Sequence, residues 1–281
     1  MMMYTKRLLS FLVALSIAVS SMTFCPTLDN SVSVYAATTN TVSVKISVYQ
    51  NYNKAYKVLE LINKEREQEG LNTLTMDKSL LKSAMTRAAE SALHWDHIRP
   101  DGSDCFTVSD IADGENIGVG ASAPAYIMKS FMNSSGHKSN ILDPDWVSVG
   151  IGCVVVDGTY YWSQLFSSVK TSTARRSSFK NTNTTKKIKV NTSKKYFKPS
   201  HKISVRTLNV GNKTSITTTW NNTYTILTLD SGTLQYSSSN PKICSVSSSG
   251  IVKAKKKGTA KISVWFPGNK KKAKVFKVTV K

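Results

Sequence analysis

At 281 residues the chain is long enough for one or two domains, each able to bury its own core. It is 40% hydrophobic and 20% charged, an ordinary globular balance, and beyond its first residues no stretch is long and apolar enough to span a bilayer. The net charge of +21 is unevenly spread: residues 37–168 carry 11 Lys and Arg against 15 Asp and Glu, whereas 169–281 carry 25 against the single acid Asp230. A break of that size marks a domain boundary and implies that the two halves meet different partners.

In chain order, Lys6 and Arg7 precede an apolar run over 8–19, and Val34-Tyr35-Ala36 resembles a processing site. This is the pattern of a secretory signal peptide over 1–36, cleaved after Ala36. The run is shorter than the roughly 20 residues of a spanning helix. Cys25 lacks the small preceding residues of a lipidated cysteine. The mature protein is therefore expected to be secreted and extracellular, either soluble or held to the cell surface by something other than a helix.

Residues 37–48 read as a lead-in. From 50 to 70, Tyr52, Ala55, Val58, Leu59 and Ile62 recur at helical steps, and Gly70 is a natural stop. Asp77 is placed to cap a second helix with the face Leu80, Leu81, Ala84, Met85, Ala88 and Ala92. Residues 98–121 read as loop. A third helix starts at Pro124, and a short helical piece follows near 137–142. Strands are predicted over 147–156 and 159–166, joined by the two-residue turn Asp157-Gly158. Helices followed by a hairpin, without a βαβ repeat, give an α+β class.

The stretch 169–187, made mostly of Ser, Thr, Asn, Lys and Arg, reads as a linker. After it come short β-type runs at 203–205, 214–219, 224–229, 243–246, 251–254, 260–266 and 273–280. Their spacing, near ten residues, predicts a small sandwich over 188–281. Beyond the leader lie Cys105, Cys153 and Cys244. Export permits disulfides, and only Cys105 and Cys153 share a module, so they are the expected pair. Cys244 reads as a small buried hydrophobe.

The histidines are His94, His97, His137 and His201. His97 and His137 are 40 residues apart, so no local metal-ligand spacing exists. His94 lies three residues before His97 and reads as a solvent-facing helix end. Ser134 and Ser135 neighbour His137, but neither an oriented base nor an oxyanion hole is visible for a serine nucleophile.

Three blocks change the weight of these residues: His97-Ile98-Arg99-Pro100-Asp101-Gly102, Gly114-Glu115-Asn116-Ile117, and Asn133-Ser134-Ser135-Gly136-His137-Lys138-Ser139-Asn140-Ile141-Leu142. With Val149-Gly150-Ile151-Gly152 and Tyr161-Trp162-Ser163-Gln164-Leu165-Phe166, they resemble the CAP superfamily of cysteine-rich secretory proteins, antigen 5 and pathogenesis-related 1 proteins, in its bacterial secreted branch, over about 50–168. The resemblance implies an α–β–α sandwich with a large cleft holding His97, Glu115 and His137, supported by Asn116, Ser134, Asn140 and Gln164. Such a set binds a divalent metal such as zinc, with His97 and His137 as ligands, or forms an acid/base pair. Two departures stand out. Ser134 lies in the region where many eukaryotic members carry a second cleft Glu, and Phe131 stands where bacterial relatives usually have Trp.

The C-terminal residues Tyr236-Ser237-Ser238-Ser239-Asn240-Pro241-Lys242-Ile243-Cys244-Ser245-Val246, with Gly250-Ile251-Val252-Lys253-Ala254 and Gly258-Thr259-Ala260-Lys261-Ile262, resemble the bacterial immunoglobulin-like group 2 domain, an adhesion or spacer module. Tyr236 stands where Trp is common and Cys244 where Ala is common. Export makes nucleic acid a poor partner for so basic a module, and anionic cell-wall polymers such as teichoic acids fit better. The expected function is therefore a non-enzymatic cell-surface protein. Its cleft takes a metal or a small apolar or lipid-like ligand, and its basic module associates with the wall. The alternatives are a metal-assisted hydrolase of wall or peptide substrates and a protein–protein adhesion module.

Overall fold

The computed structural model describes residues 40–224 and 226–281. The expected signal peptide and its cleavage site lie outside them. Strand β1 (Thr41–Gln50) occupies most of the expected lead-in. Its Val42, Val44, Ile46 and Val48 alternate with polar residues and are all buried, which is the period of a half-buried strand.

Helix α1 (Tyr52–Gln68) begins where the Asn51 side chain accepts from the Lys54 N–H at 3.0 Å. It buries Ala55, Val58 and Ile62. A short strand β2 (Thr75–Met76) precedes α2 (Lys78–Ser91), which Asp77 caps by accepting from Ser79 and Leu80. The expected loop over 98–121 contains a strand, β3 (Gly114–Val119). Helices α3 (Pro124–Met132) and α4 (Ser135–Ile141) follow, then β4 (Ser148–Val156) and β5 (Thr159–Ser167). Between β4 and β5, Asp157 (φ 45°) and Gly158 (φ 82°) both adopt the positive φ that a tight primed turn demands.

These strands form one sheet in the order β3-β5-β4-β1-β6, with β2 on β4 and β6 spanning Thr182–Asn191. Helices cover both faces. On one, Gly150 and Gly152 let α2 approach so closely that a Cβ there would lie 2.2 Å from the Leu80 carbonyl oxygen or 2.1 Å from that of Ala84. On the other, α1 and α3 pack, with Ile127 and Phe131 of α3 over Gly118. The domain is a three-layer α–β–α arrangement.

Two expectations differ from the structure. The 169–187 stretch is not a loose linker. Asp77 accepts from the Thr171 and Ser172 N–H groups at 2.8 and 2.9 Å, and β6 pairs with β1 from Thr41↔Asn191 to Gln50↔Thr182. The few apolar residues, Ile188 and Val190, sit at alternate positions and both reach the core, enough to seat a Thr- and Lys-rich edge strand. The Cys105–Cys153 disulfide is not formed, and Cys105, Cys153 and Cys244 are free, buried thiols. Cys105 packs with Leu80, Ala84 and Leu165 on the α2 side, whereas Cys153 belongs to the core on the other side. The sheet itself separates them.

The C-terminal part is all-β. Strands β7 (Pro199–Ile203), β9 (Lys213–Asn221), β10 (Ile226–Thr228), β12 (Cys244–Val246) and β13 (Ile251–Ala254) form one sheet. Strands β8 (Thr207–Leu208), β11 (Gln235–Ser238), β14 (Gly258–Trp265) and β15 (Lys274–Val280) form the other. Ile216, Trp220, Val252, Ile262, Val264 and Phe276 belong to the core they share.

This core is continuous with that of the first part. The Trp220 indole N–H donates to the Leu93 carbonyl at 3.0 Å, the Lys45 N–H donates to Thr233 Oγ1 at 2.9 Å, and His94 stacks on Tyr196 at 3.8 Å between ring centroids. No helix among the described residues is long and apolar enough to cross a membrane.

Candidate functional site

Glu115 points from β3 toward α2 and is fully buried. Helix α2 delivers Arg87, also without exposure, whose Nε and Nη2 donate to the two Glu115 carboxylate oxygens at 2.7 and 3.2 Å. The loop after α2 delivers His97, whose Nδ1 lies 2.7 Å from Glu115 Oε2. Arg87 also donates to Glu90 at 3.0 Å and to the Asp96 carbonyl at 2.9 Å, and Arg99 forks onto Glu90 at 2.6 to 3.2 Å. Burial alone would raise the Glu115 carboxyl, but Arg87, together with His97, overcomes it and holds the group below the usual carboxylate range. The result is a buried four-charge network with His97 at its partly exposed edge.

His137 lies on α4, where the Asn116 amide donates to its carbonyl at 3.1 Å. Its ring meets Phe131 edge-on at 5.0 Å. Only 3% exposed, with Nδ1 buried and unpartnered among the described residues, it is pushed down to about 4 by burial first and the nearby His97 second. The imidazole is therefore neutral at neutral pH.

Asn116, Asn140 and Gln164 form a buried amide chain. Asn140 donates to Asn116 Oδ1 at 2.9 Å and to the Glu115 carbonyl at 3.1 Å, and Asn116 donates to Gln164 Oε1 at 2.9 Å. They pin α4 to the edge strand. Ser134 caps α4 without a side-chain bond, so its hydroxyl plays no part in this chain.

Among the described residues, the ligand atoms of His97, Cys105 and Glu115 lie within 4.8 Å of one another, and His137 is outside that group. This trio does not fit a divalent metal. Both Glu115 oxygens are already neutralised by Arg87. Burial and the Glu115 charge push the Cys105 thiol well above its ordinary value, opposite to the thiolate a metal requires. Glu115 instead orients His97, as a carboxylate behind an imidazole does.

Sequence reading did not find Arg87, Glu90 or Arg99. A signal was present: Arg87 falls one turn after Ala84 on the apolar stripe of α2, with Glu90 three residues on, where a buried charge needs a buried partner.

The geometry can be set beside known proteins. Residues 59–166 match the cysteine-rich secretory protein family, CAP. The uncharacterized protein YkwD of Bacillus subtilis (strain 168) is 36% identical over 139 residues, covering 47% of this chain and 52% of that protein. The chain thus spans about half the length of the curated relative it matches. Two solved structures are also similar. An extracellular protein containing a SCP domain from Bacillus anthracis str. Ames is 23% identical, with a TM-score of 0.36, covering 41% of this chain and 40% of its own. A cysteine-rich secretory protein from Staphylococcus aureus subsp. aureus Mu50 is 22% identical, with a TM-score of 0.33, covering 41% and 39%. The family match spans the helices and sheet that hold Glu115 and both histidines, so it is residues 59–166 that carry the match to a CAP domain.

Proposed function

We propose that the protein is an exported, cell-surface CAP-domain protein that binds rather than catalyses. Its immunoglobulin-like basic part holds it on anionic wall polymers, while the region around His97, Glu115 and His137 takes a small apolar or lipid-like ligand. The charge distribution supports the wall reading most directly. Of the 25 Lys and Arg beyond residue 168, all but Lys186 are exposed, and Asp230 is the only acid among them. Such a surface attracts a polyanion at long range, and salt screens it. The binding reading is supported by Glu115: a carboxylate held by Arg87 on both oxygens is a poor general base.

The test is retention on isolated Gram-positive cell walls across a salt series. Retention lost between low and high salt, and lost when anionic polymers are stripped from the walls, is the expected result. Retention indifferent to salt would overturn it. Turnover of wall fragments by the wild type, abolished in a His97→Ala/His137→Ala variant, would replace binding with the hydrolase reading.

A further inference from the structure

A cavity of about 460 Å³ opens where the two parts meet, lined by Leu93, His94, Trp95, Tyr196, Lys198, Asn221, Asn222 and Thr223. Its two walls differ in chemistry. One is aromatic: Trp95, with Tyr224 edge-on behind it at 4.9 Å, and Tyr196 stacked on His94. The other is polar: Asn221, at the end of β9, and Thr223 are exposed, and Lys198 also lines the cavity. Among the described residues, no carboxylate lines the cavity. Asp96, the nearest acid in the loop, lies 4.0 Å from His94 Nε2.

We propose that this junction cavity binds a saccharide unit of an acidic glycan. A pyranose ring presents a face of C–H bonds, which packs on an aromatic ring, and a rim of hydroxyls, which needs amide and hydroxyl partners. Trp95 and Tyr196 supply the first, and Asn221 and Thr223 supply the second. Lys198 pairs with a carboxylate or phosphate substituent. The size is within the usual range for small-ligand sites, roughly 300–1,000 Å³. Asn222 is structural: it donates to the Ala92 carbonyl and accepts from the Tyr224 N–H, fixing the cavity's polar wall.

The inference deepens the wall-association reading by giving it a recognition pocket, and it rests on that reading for the glycan's source. The full chain is titrated by calorimetry with three probes: a glucuronate-containing hexasaccharide, a neutral N-acetylglucosamine hexamer, and sugar-free poly(glycerol phosphate). The acidic hexasaccharide is expected to saturate one site and to bind more tightly than the neutral one. Trp95→Ala and, separately, Asn221→Ala weaken it by about tenfold or more, on the scale of a truncated contact residue. Lys198→Ala removes the preference for the acidic over the neutral sugar. Poly(glycerol phosphate) binding is unchanged in all three variants.

Hexasaccharide binding that is unaltered in variants whose melting temperatures match the wild type would overturn the proposal. So would no saturation by either sugar, or tighter binding of adenosine monophosphate than of the hexasaccharide. Sugar binding without poly(glycerol phosphate) binding would sink the charge-based wall reading and leave the pocket standing. The reverse would do the opposite.

Discussion

Replacing Arg87 with Met would test how the buried charges are balanced. Arg87 has no exposure and makes four hydrogen bonds, two to Glu115, one to Glu90 and one to the Asp96 carbonyl. In the variant Glu90 keeps Arg99, but Glu115 loses both guanidinium bonds and keeps the His97 imidazole as a hydrogen-bond partner. Breaking one side of a buried ion pair costs about 3–5 kcal/mol, because the remaining charge stays desolvated. With a urea slope of about 2–3 kcal/mol/M, the unfolding midpoint at pH 7 should fall by roughly 1–2.5 M. Adding Glu115→Gln removes the stranded charge, so the double variant should recover part of the loss. The assay is a double-mutant cycle on urea unfolding followed by fluorescence. A loss in Arg87→Met below about 1 kcal/mol, or single effects that add to within about 0.5 kcal/mol, would refute the account.

Other outcomes follow from the same structure. His137 is held near 4 in the fold, below its ordinary 6.5, so the unfolded chain takes up the proton first. Its contribution is complete above about 6.5 and is lost as pH falls through about 4, up to about 3 kcal/mol, and His137→Gln should flatten that slope in acid-unfolding curves. Gly152→Ala places a Cβ 2.1 Å from the Ala84 carbonyl oxygen and should cost about 3 kcal/mol or more in urea unfolding, since backbone, not a side chain, must move. Thiol titration of the unreduced, denatured chain from residue 40 should find three thiols, and a count of one would restore the Cys105–Cys153 bridge. Zinc content should be the same in wild type and in His97→Ala/His137→Ala, and metal lost specifically in the variant would contradict the reading of Glu115 as engaged by Arg87.

Much of the architecture was legible because it is written locally. The period of α1, the Asp77 cap of α2, Pro124 at the start of α3 and the Asp157-Gly158 turn each depend on neighbours within a few residues. What was not legible depends on distant partners. Strand β3 is hidden in Gly-rich sequence because its hydrogen bonds go to β5, from Gly114↔Phe166 to Val119↔Tyr161. Strand β6 looks like a linker because β1, about 140 residues earlier, supplies its ladder. The cysteine pairing failed for a related reason: sharing a module says nothing about sharing a face. At the site, family resemblance located His97, Glu115 and His137 along the chain. It did not reveal that Arg87 locks the carboxylate.

The register of the β1–β6 ribbon also sets how the molecule responds to mechanical load. Thr41 lies opposite Asn191, so the start of β1 and the end of β6 emerge at the same end of the ladder. A pull between residue 40 and residue 192 therefore acts on one rung at a time rather than shearing all of them together. The ribbon would open progressively, from its free end toward Gln50, before the tension reached the hydrogen bonds that tie Gln50 and Tyr49 to β4.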